Sequence, residues 1–165
     1  MPPNLPLTVP KWWRARVRRG VTQWVVPAVS AETFGTTLAM REYHGAALAF
    51  GLHPVYVHLH QDAHLVELAQ WLQREQPVAV GEIGLDLFVP GLDVTRQIEL
   101  FEAQLKLARD FDLPVIVHIR RSQDQVLKYL RKWKVKGGIA TRLMAASNRL
   151  QNLSSLVSNW ALVAP

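Results

Sequence analysis

The stretch Val78–Phe88, VAVGEIGLDLF, decides the fold class of this chain. Its apolar run is typical of a strand that is covered on both faces in a parallel sheet. The run ends on Glu82, and Gly81 and Gly84 leave room beside that carboxylate for a ligand or a neighbouring backbone. Because a buried carboxylate is costly unless it is paired or bound to a metal, we predict a central strand whose carboxyl end carries chemistry.

Strands and helices alternate on both sides of this stretch. Each predicted strand is a short apolar run, and each predicted helix has apolar residues at three- and four-residue spacing. The predicted strands are Thr22–Val29, Ala46–Pro54, Pro77–Asp86 and Leu113–Arg121, and the predicted helices are Ala31–His44, Asp62–Glu75, Val94–Asp112 and Ser122–Lys134. Ser30 and Ser122 are candidate N-caps of the first and the last helix.

This alternation predicts an α/β fold with a parallel sheet. Two architectures fit it, a doubly wound open sheet and a (β/α)8 TIM barrel. A complete barrel needs roughly 250 residues, whereas this chain has 165. In both architectures, catalytic and ligand-binding groups collect at the carboxyl ends of the strands.

The composition indicates one soluble domain with a sizeable core, since 49% of the residues are hydrophobic and 19% are charged. The absence of cysteine excludes disulfides and thiolate metal sites. No apolar run approaches the roughly 20 residues of a membrane span, and the basic N-terminus lacks the apolar stretch of a signal peptide. We therefore expect a cytoplasmic protein with no membrane partner.

The net charge of +6 suggests a polyanionic partner such as nucleic acid. The charge is uneven, however, because all 13 acidic residues lie between Glu32 and Asp124. The first 31 residues hold five basic residues and no acid, and residues 141–165 hold two arginines and no acid. We interpret the excess charge mainly as a property of two atypical end segments, residues 1–19 and 141–165.

Three side chains that can bind a metal or a proton lie at the ends of successive predicted strands. His53, Glu82 and His118 are brought to the same edge of the sheet by a parallel topology. Each has a purely structural alternative, because a lone histidine is commonly a hydrogen-bonded core residue and Glu82 could cap the next helix or pair with Arg120. Their occurrence on three successive units favours a functional site.

The tract HLHQDAH, residues 58–64, has the composition of a metal site. It falls in a predicted loop and at the start of a helix, away from the strand ends. We therefore interpret its histidines, and His44, as structural or surface residues.

Four segments, in this order, resemble the TatD family of metal-dependent deoxyribonucleases: GLHP at 51–54, VAVGEIGLDLF at 78–88, RQIELFEAQLKLARDFDLPVIVHIRR at 96–121 and KGGIA at 136–140. The likeness is closest to bacterial metal-dependent hydrolases of that family and covers residues 20–140. It implies a partial (β/α)8 barrel, about strands 2–5 with their helices. It also implies hydrolysis of a phosphodiester in DNA, or of another phosphoester, by water that two divalent metals activate.

The resemblance also implies roles for individual residues. Glu82 matches the glutamate that bridges the metals, His118 matches a metal-binding histidine, and His53 matches a catalytic histidine near the substrate phosphate. Asp86 matches a residue that supports the metal site. We further assign Arg120 to substrate binding, and the carboxylate and imidazole donors leave Mg, Mn and Zn open as the metal.

Parts of the family pattern have no match in this sequence. These are a pair of histidines on the first strand, a histidine soon after GG-I and a late aspartate, so we expect a catalytically incomplete site.

One alternative is a non-catalytic nucleic-acid-binding module that uses the basic N-terminus, Arg120 and Arg121. Another is an active hydrolase that takes the missing ligands from a second chain. Exposed barrel edges also predict low solubility or self-association.

The atypical tail itself matches the family when it is read in a shifted frame. Codons can be chosen for Thr141 onward and then read from one base earlier, with C as that preceding base. The shifted frame then encodes HAFNGSQQQAAEFIKLGFKLGFGG. Most of the freedom of choice lies in the third base of each codon, and the family pattern expects this sequence after GGIA. We therefore predict that residues 141–165 are the out-of-frame product of a one-base change.

Overall fold

A parallel sheet forms the centre of the chain. The structure is a computed structural model that describes residues 22–141 and 160–162. Its strands are β1 (Val25–Pro27), β2 (Ala47–Phe50), β3 (Ala79–Asp86), β4 (Val115–Arg120), β5 (Gly138–Thr141) and β6 (Trp160–Leu162). Each strand is parallel to the next, and their order in the sheet is their order in the chain.

The strand order distinguishes the two predicted architectures. A doubly wound sheet reverses its strand order at a switch point, whereas strands that pair in chain order are those of a (β/α)8 barrel. The described strands run from β1 to β6 without a reversal. The predicted α/β partial barrel is therefore confirmed.

Helices connect the first five strands. They are α1 (Phe34–His44), α2 (Asp62–Glu75), α3 (Val94–Asp110) and α4 (Gln123–Trp133). Short 3-10 helices precede α1 at Ala31–Thr33 and follow β2 at Pro54–Leu59. Within the described residues, no helix is both long enough and apolar enough to span a bilayer.

The predicted elements are confirmed, with changes at their ends. Ser30 is an N-cap as predicted, but it begins the 3-10 helix rather than α1. The first strand is shorter than Thr22–Val29, because only Val25–Pro27 pairs with β2. Ser122 is also an N-cap, yet its hydroxyl caps nothing and donates instead to the carbonyl of Leu85, 2.8 Å away.

The core lies between the sheet and its helices. Its apolar side chains form one main cluster, in which the rings of Phe34, Phe50 and Trp71 lie 5.2–5.6 Å apart. On α3 the buried apolar residues are Leu100, Phe101, Leu105 and Ala108. This packing fixes α3 against β3 and so supports the strand that carries Glu82.

Strands β3 and β4 approach each other closely at Gly84. This glycine has a φ of +138°, and a Cβ there would lie 2.2 Å from the carbonyl oxygen of His118. The register of the two strands shifts between Val80 and Ile83. Glu82 lies inside this shift, and such irregularities commonly re-aim a side chain beside a site.

The two end segments fall largely outside the described residues. Residues 1–19 are not described, and of residues 141–165 only Thr141 and β6 are. The predictions of an atypical N-terminal segment and of an out-of-frame tail therefore stay predictions.

Candidate metal centre

Three predicted site residues meet at the carboxyl-terminal edge of the sheet. His53, Glu82 and His118 each offer one ligand atom, and these atoms lie within 4.8 Å of one another. The Oε1 atom of Glu82 is 3.4 Å from Nδ1 of His118 and 3.9 Å from Nε2 of His53. This is the only such group that the described residues form.

Different local structures hold these three residues. His53 follows β2 and is the N-cap of the 3-10 helix Pro54–Leu59. His118 lies within β4, beside Gly84 in the register. Glu82 lies in the middle of β3 rather than at its end, because the strand continues to Asp86.

Asp86 orients His118. Its Oδ2 atom is 2.9 Å from Nε2 of His118, and its Oδ1 atom accepts the backbone N–H groups of Phe88 and Val89. Burial opposes ionisation of Asp86, but the hydrogen bonds from His118 and from these two amides hold its pKa below the ordinary value. An ionised carboxylate only accepts, so Nε2 of His118 carries the hydrogen and Nδ1 faces Glu82.

Burial also controls the protonation of His53. Desolvation, together with the neighbouring His118, lowers the pKa of His53 to about 4. Its Nδ1 accepts the backbone N–H of Val55 at 3.2 Å. A neutral imidazole that accepts at Nδ1 carries its hydrogen on Nε2. His53 therefore presents an Nε2–H donor to the cluster.

Glu82 is ionised although it is largely buried. Burial raises its pKa, but the contact with His118, the hydrogen bond from Thr141 and the charge of the nearby histidines together lower it below the ordinary value. The hydroxyl of Thr141 donates to Oε1 of Glu82. The sequence did not identify Thr141 as a site residue. What marks Thr141 as a neighbour of the site is its strand register, since it pairs with His118 across β4 and β5.

The cluster lines an open cleft of about 490 Å³. Its polar lining is His53, Tyr56, Glu82, Asp86, His118, Arg120 and Thr141. Arg120 does not pair with Glu82, which was one structural alternative for that carboxylate; Nη1 of Arg120 lies 3.8 Å from Oδ2 of Asp86. Glu82 does not cap the next helix either, because the N-cap of α3 is Asp93.

The histidines of the tract 58–64 do not join the cluster. His60 is buried, and its Nε2 lies 3.0 Å from the carbonyl oxygen of His53, which makes it a support for that residue. His58 is exposed, and His64 bonds the backbone N–H of Gln61 at the start of α2. Their interpretation as structural or surface residues is consistent with these positions.

The donors fit one divalent cation better than two. The carboxylate of Glu82 and Nδ1 of His118 are both acceptors only 3.4 Å apart, so a cation or a proton must lie between them. Ionised carboxylate and neutral imidazole are the forms that metals bind. The described residues add no further carboxylate or imidazole beyond His53. A second metal would therefore lack ligands among them.

Comparison with known proteins identifies the family of the chain. Residues 10–156 match the family model described as TatD related DNase. The chain is 46% identical over 116 residues to an uncharacterized metal-dependent hydrolase, YjjV, of Escherichia coli K12, covering 68% of this chain and 45% of that protein. It is 34% identical over 160 residues to the 3'-5' ssDNA/RNA exonuclease TatD of Pantoea sp. At-9b, covering 88% and 60%.

The solved structures give the same result. The crystal structure of the TatD homologue YjjV from E. coli matches with a TM-score of 0.82 and 35% identity, covering 91% of this chain and 60% of that one. The chain thus spans about half the length of the relatives it matches, between 45% and 60% of those named. Because the family model spans most of the sequence, the chain belongs to the TatD-related DNase family.

Proposed function

We propose that this chain is a metal-dependent phosphodiester hydrolase of the TatD type, with a weakened metal centre. Two contacts of His118 support this proposal. Its Nε2 lies 2.9 Å from Oδ2 of Asp86, and its Nδ1 lies 3.4 Å from Oε1 of Glu82. A metal-binding histidine typically donates its other ring N–H to a carboxylate. Glu82 and His118 would hold the cation, and Asp86 would set the ring orientation.

The other residues of the cleft suit a phosphate substrate. A bound divalent cation would supply an activated water and would neutralise charge on the phosphodiester. Nε2–H of His53 and the guanidinium of Arg120 line the same cleft and can donate to phosphate oxygens. The substrate would be DNA or RNA, as suggested by the Pantoea relative, a 3'-5' ssDNA/RNA exonuclease.

The donor count supports slow turnover. Catalytic zinc sites generally have three protein ligands, whereas Glu82 and His118 supply two. The mixed donor set suits Mn²⁺ or Zn²⁺ better than Mg²⁺, which prefers oxygen. We expect weak metal binding and hydrolysis well below that of a full-length family member.

A nuclease assay tests this proposal. A labelled single-stranded DNA oligonucleotide with Mn²⁺ should be cleaved slowly by the chain, and EDTA should abolish the cleavage. Glu82→Gln should also abolish it, because the amide loses the charge that binds the cation. The matched control is Glu102→Gln, which alters a surface carboxylate paired with Lys132 on the outside of the fold. Cleavage that survives Glu82→Gln would contradict the proposal.

The role of His53 can be separated from that of the ligands. If His53 acts as an Nε2–H donor, His53→Ala should lower the cleavage rate and leave the Kd for Mn²⁺ nearly unchanged. Its hydrogen bond from the amide of Val55 supports this donor role. A large rise in the Kd would instead make His53 a third metal ligand.

A non-catalytic nucleic-acid-binding role is the second candidate. The guanidinium carbons of Arg120 and Arg121 lie 3.8 and 4.6 Å from the ring centre of Phe88, which holds two cations together beside the cleft. The basic N-terminus lies outside the described residues. A strongly salt-dependent DNA affinity that persists in Glu82→Gln, without cleavage by the unaltered chain, would favour this role.

A further inference from the structure

Two glutamines on α3 are almost completely buried. Gln97 and Gln104 are each only 1% exposed, among apolar residues such as Phe101 and Leu105. A buried primary amide is costly unless its hydrogen bonds are made. A helix that only needed to pack on the sheet could use apolar residues at these positions, as it does elsewhere on the same face.

Each glutamine amide pairs with both backbone polar groups of one residue. Gln104 accepts the N–H of Leu52 at 2.7 Å and donates to its carbonyl at 3.2 Å. Gln97 accepts the N–H of Asp86 at 2.8 Å and donates to its carbonyl at 3.2 Å. The two side chains therefore make the same paired contact at two different strand ends.

Both of the residues they hold belong to the edge that carries the site. Leu52 immediately precedes His53, and Asp86 binds the ring of His118. Gln97 and Gln104 are seven residues apart, which is nearly two full turns, so they lie on one face of the helix about 10 Å apart along its axis. One rigid helix thus fixes the backbone of Leu52, next to His53, and the backbone of Asp86, whose side chain contacts the ring of His118.

We propose that Gln97 and Gln104 are positioning residues that hold His53 and the Asp86–His118 pair at their working separation. Gln104 acts on His53 through Leu52, and Gln97 acts on His118 through Asp86. The inference rests on the proposed metal site, because the separation matters only if these rings act together on a cation and its substrate.

Two variants and one control test the proposal in the 165-residue chain. Gln97→Met and Gln104→Met keep the shape of the side chain and remove its hydrogen bonds. Leu105→Ala, in the apolar core of the same helix, is the control for a general loss of packing. The readouts are the ring ¹⁵N signals of His53 and His118 by NMR without metal, and the Kd for Mn²⁺.

The two variants should act on different rings. Gln97→Met should shift the His118 signals and raise the Kd for Mn²⁺ about tenfold, the lower end of what loss of an outer support costs a metal site. Gln104→Met should shift the His53 signals and lower the DNA cleavage rate. Leu105→Ala should lower the urea midpoint and leave both rings unchanged.

The outcomes separate this inference from the proposed function. Ring signals that stay unchanged in both glutamine variants, or that shift equally in Leu105→Ala, would overturn it. If the unaltered chain binds no Mn²⁺, the metal site itself is wrong, and the metal-free ring signals still decide whether the glutamines position the histidines.

Discussion

The two sides of Glu82 differ in how completely they are built. Towards β4, the carboxylate faces His118, which is held by Asp86, whose backbone is in turn held by Gln97. Towards β5, among the residues that the structure describes, it meets only the hydroxyl of Thr141. The β4 side thus has an imidazole with two layers of support, and the β5 side has a hydroxyl. We infer from this comparison that β3 and β4 form one half of the proposed metal site and that β5 does not supply the other half.

The largest effect should come from breaking the close contact of β3 with β4. Gly84→Ala places a Cβ against the carbonyl oxygen of His118, at a φ of +138° that an alanine rarely adopts. Overpacking and backbone strain together should cost about 3–5 kcal/mol of unfolding free energy. Urea denaturation followed by circular dichroism measures this. Gly35→Ala in α1, where a Cβ meets nothing within 4 Å, is the matched control and should not destabilise the chain.

The second-largest effect should come from removing the carboxylate of Asp86, which orients His118. In Asp86→Asn, the amide N–H₂ can face Nε2 of His118 and so move the ring hydrogen to Nδ1, the atom that faces Glu82. The Kd for Mn²⁺ should rise about 10- to 100-fold, as measured by isothermal titration. Asp112→Asn, at an exposed carboxylate paired with Lys136, controls for the loss of a charge. Equal affinities in both variants would mean that His118 needs no orienting partner.

Completing the β5 side should have a smaller effect in the opposite direction. In Thr141→His, an imidazole replaces the hydroxyl beside Glu82 and adds a ligand at the position where the family resemblance implies a histidine. We expect the Kd for Mn²⁺ to fall about tenfold, which corresponds to about 1.4 kcal/mol. Thr36→His, on the exposed surface of α1, adds a histidine away from the site. An unchanged affinity in Thr141→His would show that β5 does not aim this position at the cation.

The coding DNA tests why Thr141, rather than a histidine, lies beside Glu82 on β5. If residues 141–165 are out of frame, the shifted frame should begin with a histidine codon at Thr141 and stay open beyond codon 165. Sequencing the gene from codon 135 onward would show this directly. A shifted frame that closes at once would leave the threonine as the encoded residue of an intact strand and would remove the frameshift explanation.

The sequence predicted the architecture and most of the cleft, but not the contacts that organise it. Alternating apolar runs and amphipathic helices were sufficient for the partial barrel. The ends of the apolar runs indicated His53, Glu82 and His118, although Glu82 and His118 lie inside their strands. Thr141 was missed because its partner depends on the register between β4 and β5. Gln97 was missed because a buried amide on an amphipathic helix looks like an ordinary polar residue until its backbone partner is known.

The smallest expected effect distinguishes two interpretations of Ser122. The sequence predicts an N-cap of α4, whereas in the structure its buried hydroxyl ties the end of β4 to the carbonyl of Leu85 on β3. Loss of this one bond in Ser122→Ala should cost about 1 kcal/mol. Ser122→Asp separates the two roles, because aspartate is as good a cap as serine but its carboxylate cannot donate to a carbonyl. We expect Ser122→Asp to have a lower urea midpoint than Ser122→Ala; the reverse order would mean that the cap outweighs the link between the strands.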